Sequence, residues 1–268
     1  MSNLYACDMK PEEIAAYIGA AAWLPQIASW IYRRVVRPTV RIVPNQYAEA
    51  GFTSLGPICN LRMAILVDNK DVVIDGMEMV LRHQDGDSRA LRWAGLGETF
   101  SEITDAAGNK QVVGRDQSPI AIKVGTQSLL EKFVRFQEPR YHEGDRPLIQ
   151  ALVGHFNYLK QSKPDTYVAE TLASKELFSL LEARRKAFWW KPGRYDIEVR
   201  LSSPQKFNVA SGKFRFDLTA SDVQLLEKNI STMEAELRNI VSSNLPDFQA
   251  QPVNWNWANV DVLPANDA

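Results

Sequence analysis

The first strong pattern in the chain is an uncharged run from Ile14 to Tyr32, IAAYIGAAAWLPQIASWIY, which passes directly into Arg33, Arg34, Arg37 and Arg41. From Thr39 the spacing changes to short alternating stretches. Val40 to Val43, Asn60 to Val67, Val72 to Arg82 and Arg89 to Trp93 place apolar side chains at every second position, the period of half-buried strands. Gln84-Asp85-Gly86-Asp87 supplies a hairpin turn, and a second hairpin is expected to join Glu98–Thr104 to Gln111–Val113 through the Gly- and Asn-containing stretch between them. Ile120 to Val124 reads as a further strand. Beyond it the pattern becomes helical in patches, Pro147 to Lys160 and Ser174 to Phe188, separated by Pro164. Near the C-terminus Val223, Leu226, Ile230, Met233, Leu237 and Ile240 follow alternating steps of three and four residues, with Ser221 as the expected helix cap.

The uncharged run predicts a membrane address. A helix over it would be about 28 Å long, close to the ~30 Å hydrocarbon thickness. Tyr17 near one end, Trp30 and Tyr32 at the other, acidic Asp8, Glu12 and Glu13 before it and arginines after it match the flanks of a membrane segment with the main domain on the cytoplasmic side of the inner membrane. Ile14, Tyr17, Ile18, Trp23, Leu24, Ile27, Trp30 and Ile31 are the expected lipid contacts, and Arg33, Arg34 and Arg37 the expected headgroup contacts. Alanine content, Pro25 and Gln26 weaken the apolar signal, so three outcomes are open: spanning, lying in the interface plane, or packing inside a soluble fold. Ala15, Gly19, Ala20 and Ala22 would allow close helix approach. Self-association is therefore expected to use Gly19 together with Leu226, Ile230, Met233 and Leu237, although fewer than three heptads suit a helix laid on its own domain at least as well.

Composition narrows the rest. With 45% hydrophobic and 24% charged residues the chain is an ordinary folded protein, and a net charge of −1 gives no overall footprint for nucleic acid. Two cysteines, Cys7 and Cys59, do not make a disulfide framework. Leu4-Tyr5-Ala6-Cys7 precedes the apolar run instead of following it and so is no lipoprotein box, and a removable signal peptide would need a basic stretch before the run and a small-residue cleavage site after it.

Chemistry is sparse. His83, His142 and His155 fall on separate elements without metal-ligand spacing, Gly95-Leu96-Gly97 and Ala210-Ser211-Gly212-Lys213 are incomplete as phosphate loops, and no serine elbow is present. No cofactor or metal is expected. His142-Glu143-Gly144-Asp145 would be the acid/base candidate if a deep pocket enclosed it. Arg184, Arg185 and Lys186 followed by Phe188, Trp189 and Trp190 suit a headgroup or nucleic-acid surface and, equally, a charged helix end entering an aromatic core.

Trp190 to Leu201, WKPGRYDIEVRL, resembles the entry to the penultimate strand of immunoglobulin-like sandwiches, where a corner tyrosine, here Tyr195, ties turn to sheet. The resemblance implies a mainly β chain with an immunoglobulin-like antiparallel β-sandwich over 39–218 and a helical insertion at about 147–189; the residue pattern outside it adds residues 1–38 as tail and membrane helix, an amphipathic helix over 219–245 and a flexible tail over 246–268. Within that tail Val253, Trp255 and Trp257 alternate, as an edge strand, a docking peptide or a segment packed on its own domain would. The whole array also resembles uncharacterised bacterial membrane-anchored proteins. The function expected is a non-enzymatic sensor, adaptor or scaffold whose partners are the lipid membrane and either a second copy or another protein. The alternatives are an oligomerising membrane-perturbing effector and a soluble enzyme.

Overall fold

The computed structural model describes residues 11–104, 110–118, 120–126, 129–246 and 248–265, without the side chains of 11–21, 33, 98–104 and 110–117. Helix α1 (Pro11–Val35) leads into β1 (Thr39–Thr53), β2 (Gly56–Asp68), β3 (Val72–Ile74), β4 (Gly76–His83), β5 (Ser88–Thr104), β6 (Lys110–Gln117), β7 (Ile122–Val124) and β8 (Leu130–Gln137). Three helices follow, α2 (Pro139–Ser162), α3 (Tyr167–Leu172) and α4 (Lys175–Lys186). The chain then returns to the sheet as β9 (Gly193–Ser202), β10 (Asn208–Ser211) and β11 (Lys213–Leu218). It ends with α5 (Ala220–Glu227), α6 (Asn229–Ser242), β12 (Trp257–Asp261) and β13 (Leu263–Pro264).

The protein is mainly β, but it is not a sandwich of two antiparallel sheets. One mixed sheet runs β10-β1-β2-β8-β5-β4-β9-β11-β13, with β12 on β1 and β6 on β5, while β3 and β7 form a separate pair. The immunoglobulin-like expectation is therefore corrected to a curled, half-barrel sheet. The physical reason lies in the strands. β1 and β5 are 15 and 17 residues long, and each shifts register, at Pro44/Ala48 and at Trp93/Gly95. Such bulges bend a long strand and increase its twist, so one sheet curls around a core to which the β3–β7 pair, α5 and α6 also contribute. The chain at Ser211-Gly212-Lys213 reinforces the curl: β10 pairs with β1 and β11 with β9, so a single kinked segment touches both flanks of the sheet. A Cβ on Gly212 would stand 2.9 Å from the Val199 carbonyl oxygen, which leaves room only for glycine at the kink.

The core inside the curl includes Ile42, Phe52, Leu61, Met63, Ile65, Met79, Leu81, Leu91, Val134, Phe136, Tyr195 and Phe216. Trp189 and Trp190 are buried beside Tyr195, whose ring stacks on Phe216 at 5.1 Å. The corner expected at Tyr195 is present: its hydroxyl donates to the Lys191 carbonyl at 3.0 Å and accepts from the Lys191 N–H at 2.7 Å. Tyrosine corner and sandwich are thus separable, since a tight turn entering any strand supplies the same two backbone groups.

The helical layer begins earlier than its pattern implied. Pro139, not Pro147, opens α2, and Pro147 lies inside it. The heptad-like helix near the C-terminus is two helices: Thr219, instead of Ser221, caps α5 in a capping box with Asp222, and α6 restarts at Asn229. Asn229, the first residue of α6, is fully buried and explains a further correction. Its side chain donates to the Asn256 carbonyl at 2.8 Å and accepts from the Asn256 N–H at 2.8 Å. Asn239 repeats this reciprocal pair with the Gln251 backbone. The segment expected to be a flexible tail is strapped along α6 and then joins β1 as β12 through Tyr47↔Asp261 to Gly51↔Trp257.

Candidate functional site

Among the described residues no helix is long and apolar enough to cross a membrane, so the spanning expectation for Ile14–Tyr32 is withdrawn. Pro25, Gln26 and Ser29 dilute the described part of α1, and the arginines begin soon after. The side chains of Ile14, Tyr17, Ile18, Gly19 and Arg33 lie outside those described. The C-terminal half of α1 is nevertheless unusual in its exposure: Trp23 and Leu24 are each 63% exposed, Trp30 60% and Val35 71%, with Ile27, Ile31 and Tyr32 also open. Trp23, Ile27, Trp30, Ile31 and Val35 follow the spacing of one helical face, whereas Gln26 and Ser29 fall on the other. The Arg34 guanidinium lies 5.1 Å over the Trp30 ring, which keeps a cation beside the apolar stripe.

At the foot of α1 the sheet adds further cations. Thr39 is opposite Asp68 on β2 and opposite Asn208 on β10. Arg37, Lys70 and Lys206 each lie two residues along the chain from that row, outside the paired strands. Asn69, at φ 74°, turns the chain that carries Lys70, and the Asn208 N–H donates to the carbonyl of buried Pro38 at 2.9 Å. Together these segments wall a concavity of about 330 Å³ lined by Arg34, Val35, Val36, Arg37, Pro38, Lys70, Gln205 and Lys206. Among the described residues no carboxylate lines it. Arg41 does not belong to it, because its guanidinium pairs with Asp68 at 3.1 Å. The arginine run anticipated Arg34 and Arg37. It could not reveal Lys70 and Lys206, which only strand register brings beside them.

The expected oligomer contacts are placed differently. Leu226 and Met233 are 0% and 1% exposed in the core, Ile230 packs against it, and Leu237 joins Leu152, Leu177 and Leu180 between helices. Their apolar surface is used by the chain's own sheet and helices, so a subunit seam through them would require α5 and α6 to leave the domain.

The acid/base candidate is also dispersed. His142, Glu143 and Asp145 occupy α2, and the shallow concavity they line draws every wall residue from that one helix. Asp145 is turned into the protein, where Arg184 donates to both carboxylate oxygens at 2.9 Å. Burial opposes the guanidinium's charge, but the Asp145 hydrogen bonds and nearby Glu236 hold it firmly protonated. Burial pushes the Tyr141 hydroxyl far above its usual range, against the opposing pull of Arg184. Arg89 pairs with buried Glu138 at 2.7 Å and lies 5.7 Å over the Trp189 ring. This cluster ties α2 and α4 to the sheet, and Arg184 with Trp189 and Trp190 forms a charged helix end entering an aromatic core.

Among the described residues no group of three or more His, Cys, Asp or Glu side chains could hold a metal ion. Cys59 is free and buried, and burial, reinforced by Glu49, pushes its thiol up to about 12. Cys7 lies outside the described residues. Comparison with protein-family models, with curated proteins and with solved structures finds no match to this chain.

Proposed function

We propose that the protein is a non-enzymatic adaptor that docks on an anionic membrane surface, with the C-terminal half of α1 lying in the interface plane and the curled-sheet domain held against the headgroups. The observation that carries this reading is the exposed apolar face of Trp23, Ile27, Trp30, Ile31 and Val35, which ends in a cluster of cations. A lipid interface suits that combination because it offers apolar depth and negative charge within one layer, and indole rings favour its boundary. A second copy of α1 in parallel would bring Arg34 and Arg37 against the same residues of its partner, so charge favours lipid over parallel self-pairing. The cationic face supports docking on the cytoplasmic leaflet, where acidic lipids are concentrated.

The test is flotation of the full chain with vesicles of phosphatidylcholine alone or with added phosphatidylserine, read with Ile27→Asp and Trp30→Asp. Binding should need the anionic lipid, weaken steeply with salt and disappear in both variants. Binding that ignores lipid charge, or that survives both substitutions, overturns the proposal. So does a salt-resistant dimer in light scattering that Ile27→Asp dissociates, since α1 would then be covered by a second copy.

A further inference from the structure

The concavity at the root of α1 has a property that generic attraction to an acidic surface does not require: its cations come from three separate segments. Arg34 stands on the last turn of α1 and Arg37 on the passage to β1, Lys70 on the turn after β2 and Lys206 on the loop before β10. Side chains spread along one helix face a flat sheet of charge. Side chains converging on a hollow face a single compact group.

We infer that this hollow is a binding site for the terminal phosphate of a phosphate-monoester lipid such as phosphatidic acid. A phosphate monoester carries a charge of between about −1.5 and −2 at neutral pH and presents three acceptor oxygens, so it engages several cations at once. The phosphodiester of phosphatidylserine is flanked on both sides by carbon chains and cannot enter a hollow end-on. A volume of about 330 Å³ accommodates a phosphate with part of its glycerol. Placement agrees as well. The hollow adjoins Val35 at the end of the exposed apolar face, so it meets the same membrane surface as α1.

The walls are held from within the fold. The Asn208 N–H bond to Pro38 joins the β10 segment to the α1–β1 passage, and Gln205 accepts from the Val73 N–H at 3.4 Å. Arg41 and Asp68 neutralise each other on the next row of the sheet, so that carboxylate does not compete with a phosphate in the hollow.

This inference rests on the proposed membrane docking, and the experiment separates the two. Full-length protein is floated with phosphatidylcholine vesicles carrying either phosphatidic acid or phosphatidylserine at matched surface charge. The same is done for the double variant Lys206→Gln/Gln205→Glu, which leaves α1 untouched and sets a carboxylate in the hollow. The wild type is expected to prefer phosphatidic acid by about tenfold, a ratio equal to one decade of dissociation constant. The double variant should bring that ratio to about one. Equal binding to both acidic lipids, or a preference the double variant retains, overturns the phosphate site while leaving docking in place. Failure to bind either vesicle overturns docking itself. A third arm adds millimolar inorganic phosphate to the vesicle assay: unchanged binding supports a lipid ligand, and full competition assigns the hollow to free phosphate and overturns the lipid assignment.

Discussion

Replacing Asp145 by asparagine isolates one charge in the most enclosed ion pair of the helical layer. Asp145 and Arg184 side chains are 7% and 5% exposed, and both carboxylate oxygens accept from the guanidinium at 2.9 Å. Among the described residues Arg184 Nη1 and the Tyr141 hydroxyl already have no hydrogen-bond partner. The substitution keeps the side chain's shape but removes its charge, leaving a buried cation without its paired carboxylate. Breaking one side of such a pair costs about 3–5 kcal/mol, whereas an exposed pair contributes about 0–1 kcal/mol. Arg185–Glu182, at 2.7 Å on the open side of the same helix, is the internal control. With a midpoint shift of about 2–4 °C per kcal/mol for a chain of this size, Asp145→Asn should lower the thermal midpoint by roughly 6–20 °C. Glu182→Gln should move it by less than about 4 °C. The assay is thermal unfolding followed by circular dichroism, with urea titration to supply free energies. The double variant Asp145→Leu/Arg184→Met should recover most of the loss, because removing both charges also removes their desolvation cost. Equal shifts for Asp145→Asn and Glu182→Gln, or additive losses in the double variant, would refute the reasoning.

Turn geometry, surface charge and burial give three further expected outcomes. Gly56 sits at φ +82° with a virtual Cβ 2.4 Å from the Tyr141 ring, whereas Gly86 has φ +99° and open space around it. Gly56→Ala should therefore cost about 2–5 kcal/mol and Gly86→Ala only about 1–2 kcal/mol in urea titrations, and a reversed order would contradict the packing of Tyr141 over the β1–β2 turn. Lys191 reaches both Asp85 and Asp87 and, with the Asp87 N–H and His83, holds the Asp85 carboxyl far below the usual carboxylate range; Asp71, Glu170 and Glu198 are lowered too. Groups with depressed folded pKa values contribute above the unfolded range and lose that contribution as pH falls through the folded value, so melting should be flat near neutrality and decline below about pH 4. Lys191→Met should blunt that decline, and an unchanged acid limb would show that Asp85 has no part in it. In a Cys7→Ser background Cys59 should resist maleimide near neutral pH until the chain unfolds in urea, because its buried thiol is pushed up to about 12. Rapid native-state labelling would place Cys59 at the surface.

Local structure was legible wherever one stretch carries its own signal. The Asp85-Gly86 hairpin is present, with Gly86 at positive φ and the Gly86 N–H bonded to the His83 carbonyl, and the Tyr195 corner follows from one pentapeptide. Global arrangement was not legible, for identifiable reasons. β8 escaped notice although Val134 and Phe136 alternate with polar neighbours, because its flanking charges gave LEKFVRFQ no dominant period; yet it is the strand that joins β2 to β5. Pro147 looked like a helix start because proline is favoured there, but Pro139 holds that role and Pro147 is tolerated within α2. The 3,4 spacing of Val223 to Ile240 marked Val223, Leu226, Met233 and Leu237, which are buried, together with Ile240, which is exposed, and nothing in such spacing says whether an apolar face meets another subunit or the chain's own domain. The tail looked polar and therefore mobile, yet Asn229 and Asn239 turn that polarity into backbone pairing. At the hollow, Arg34 and Arg37 were visible as a basic run, while Lys70 and Lys206 became relevant only through the registers Thr39↔Asp68 and Thr39↔Asn208.

Those registers also make the root of α1 more than a tether. A flexible linker would let an adaptor domain tumble above the lipid, but Pro38 is buried and its carbonyl is bonded to the Asn208 N–H, so the passage from helix to sheet is braced by a strand distant in sequence. Val40 and Ile42 immediately enter the core. In the proposed docking, α1 would hold the start of β1, which pairs with β2, β10 and β12, close to the membrane. The same bracing keeps Lys206 beside Arg37, since the backbone bond between Asn208 and Pro38 lies close to both in the chain. If that contact were loosened, by replacing Pro38 with Gly, apolar docking through Trp30 and Ile31 would persist while the converging cations separated. Loss of the phosphate preference with retained binding to acidic vesicles is thus the expected signature of Pro38→Gly, and an unaltered preference would show that the hollow does not depend on how the helix joins the sheet.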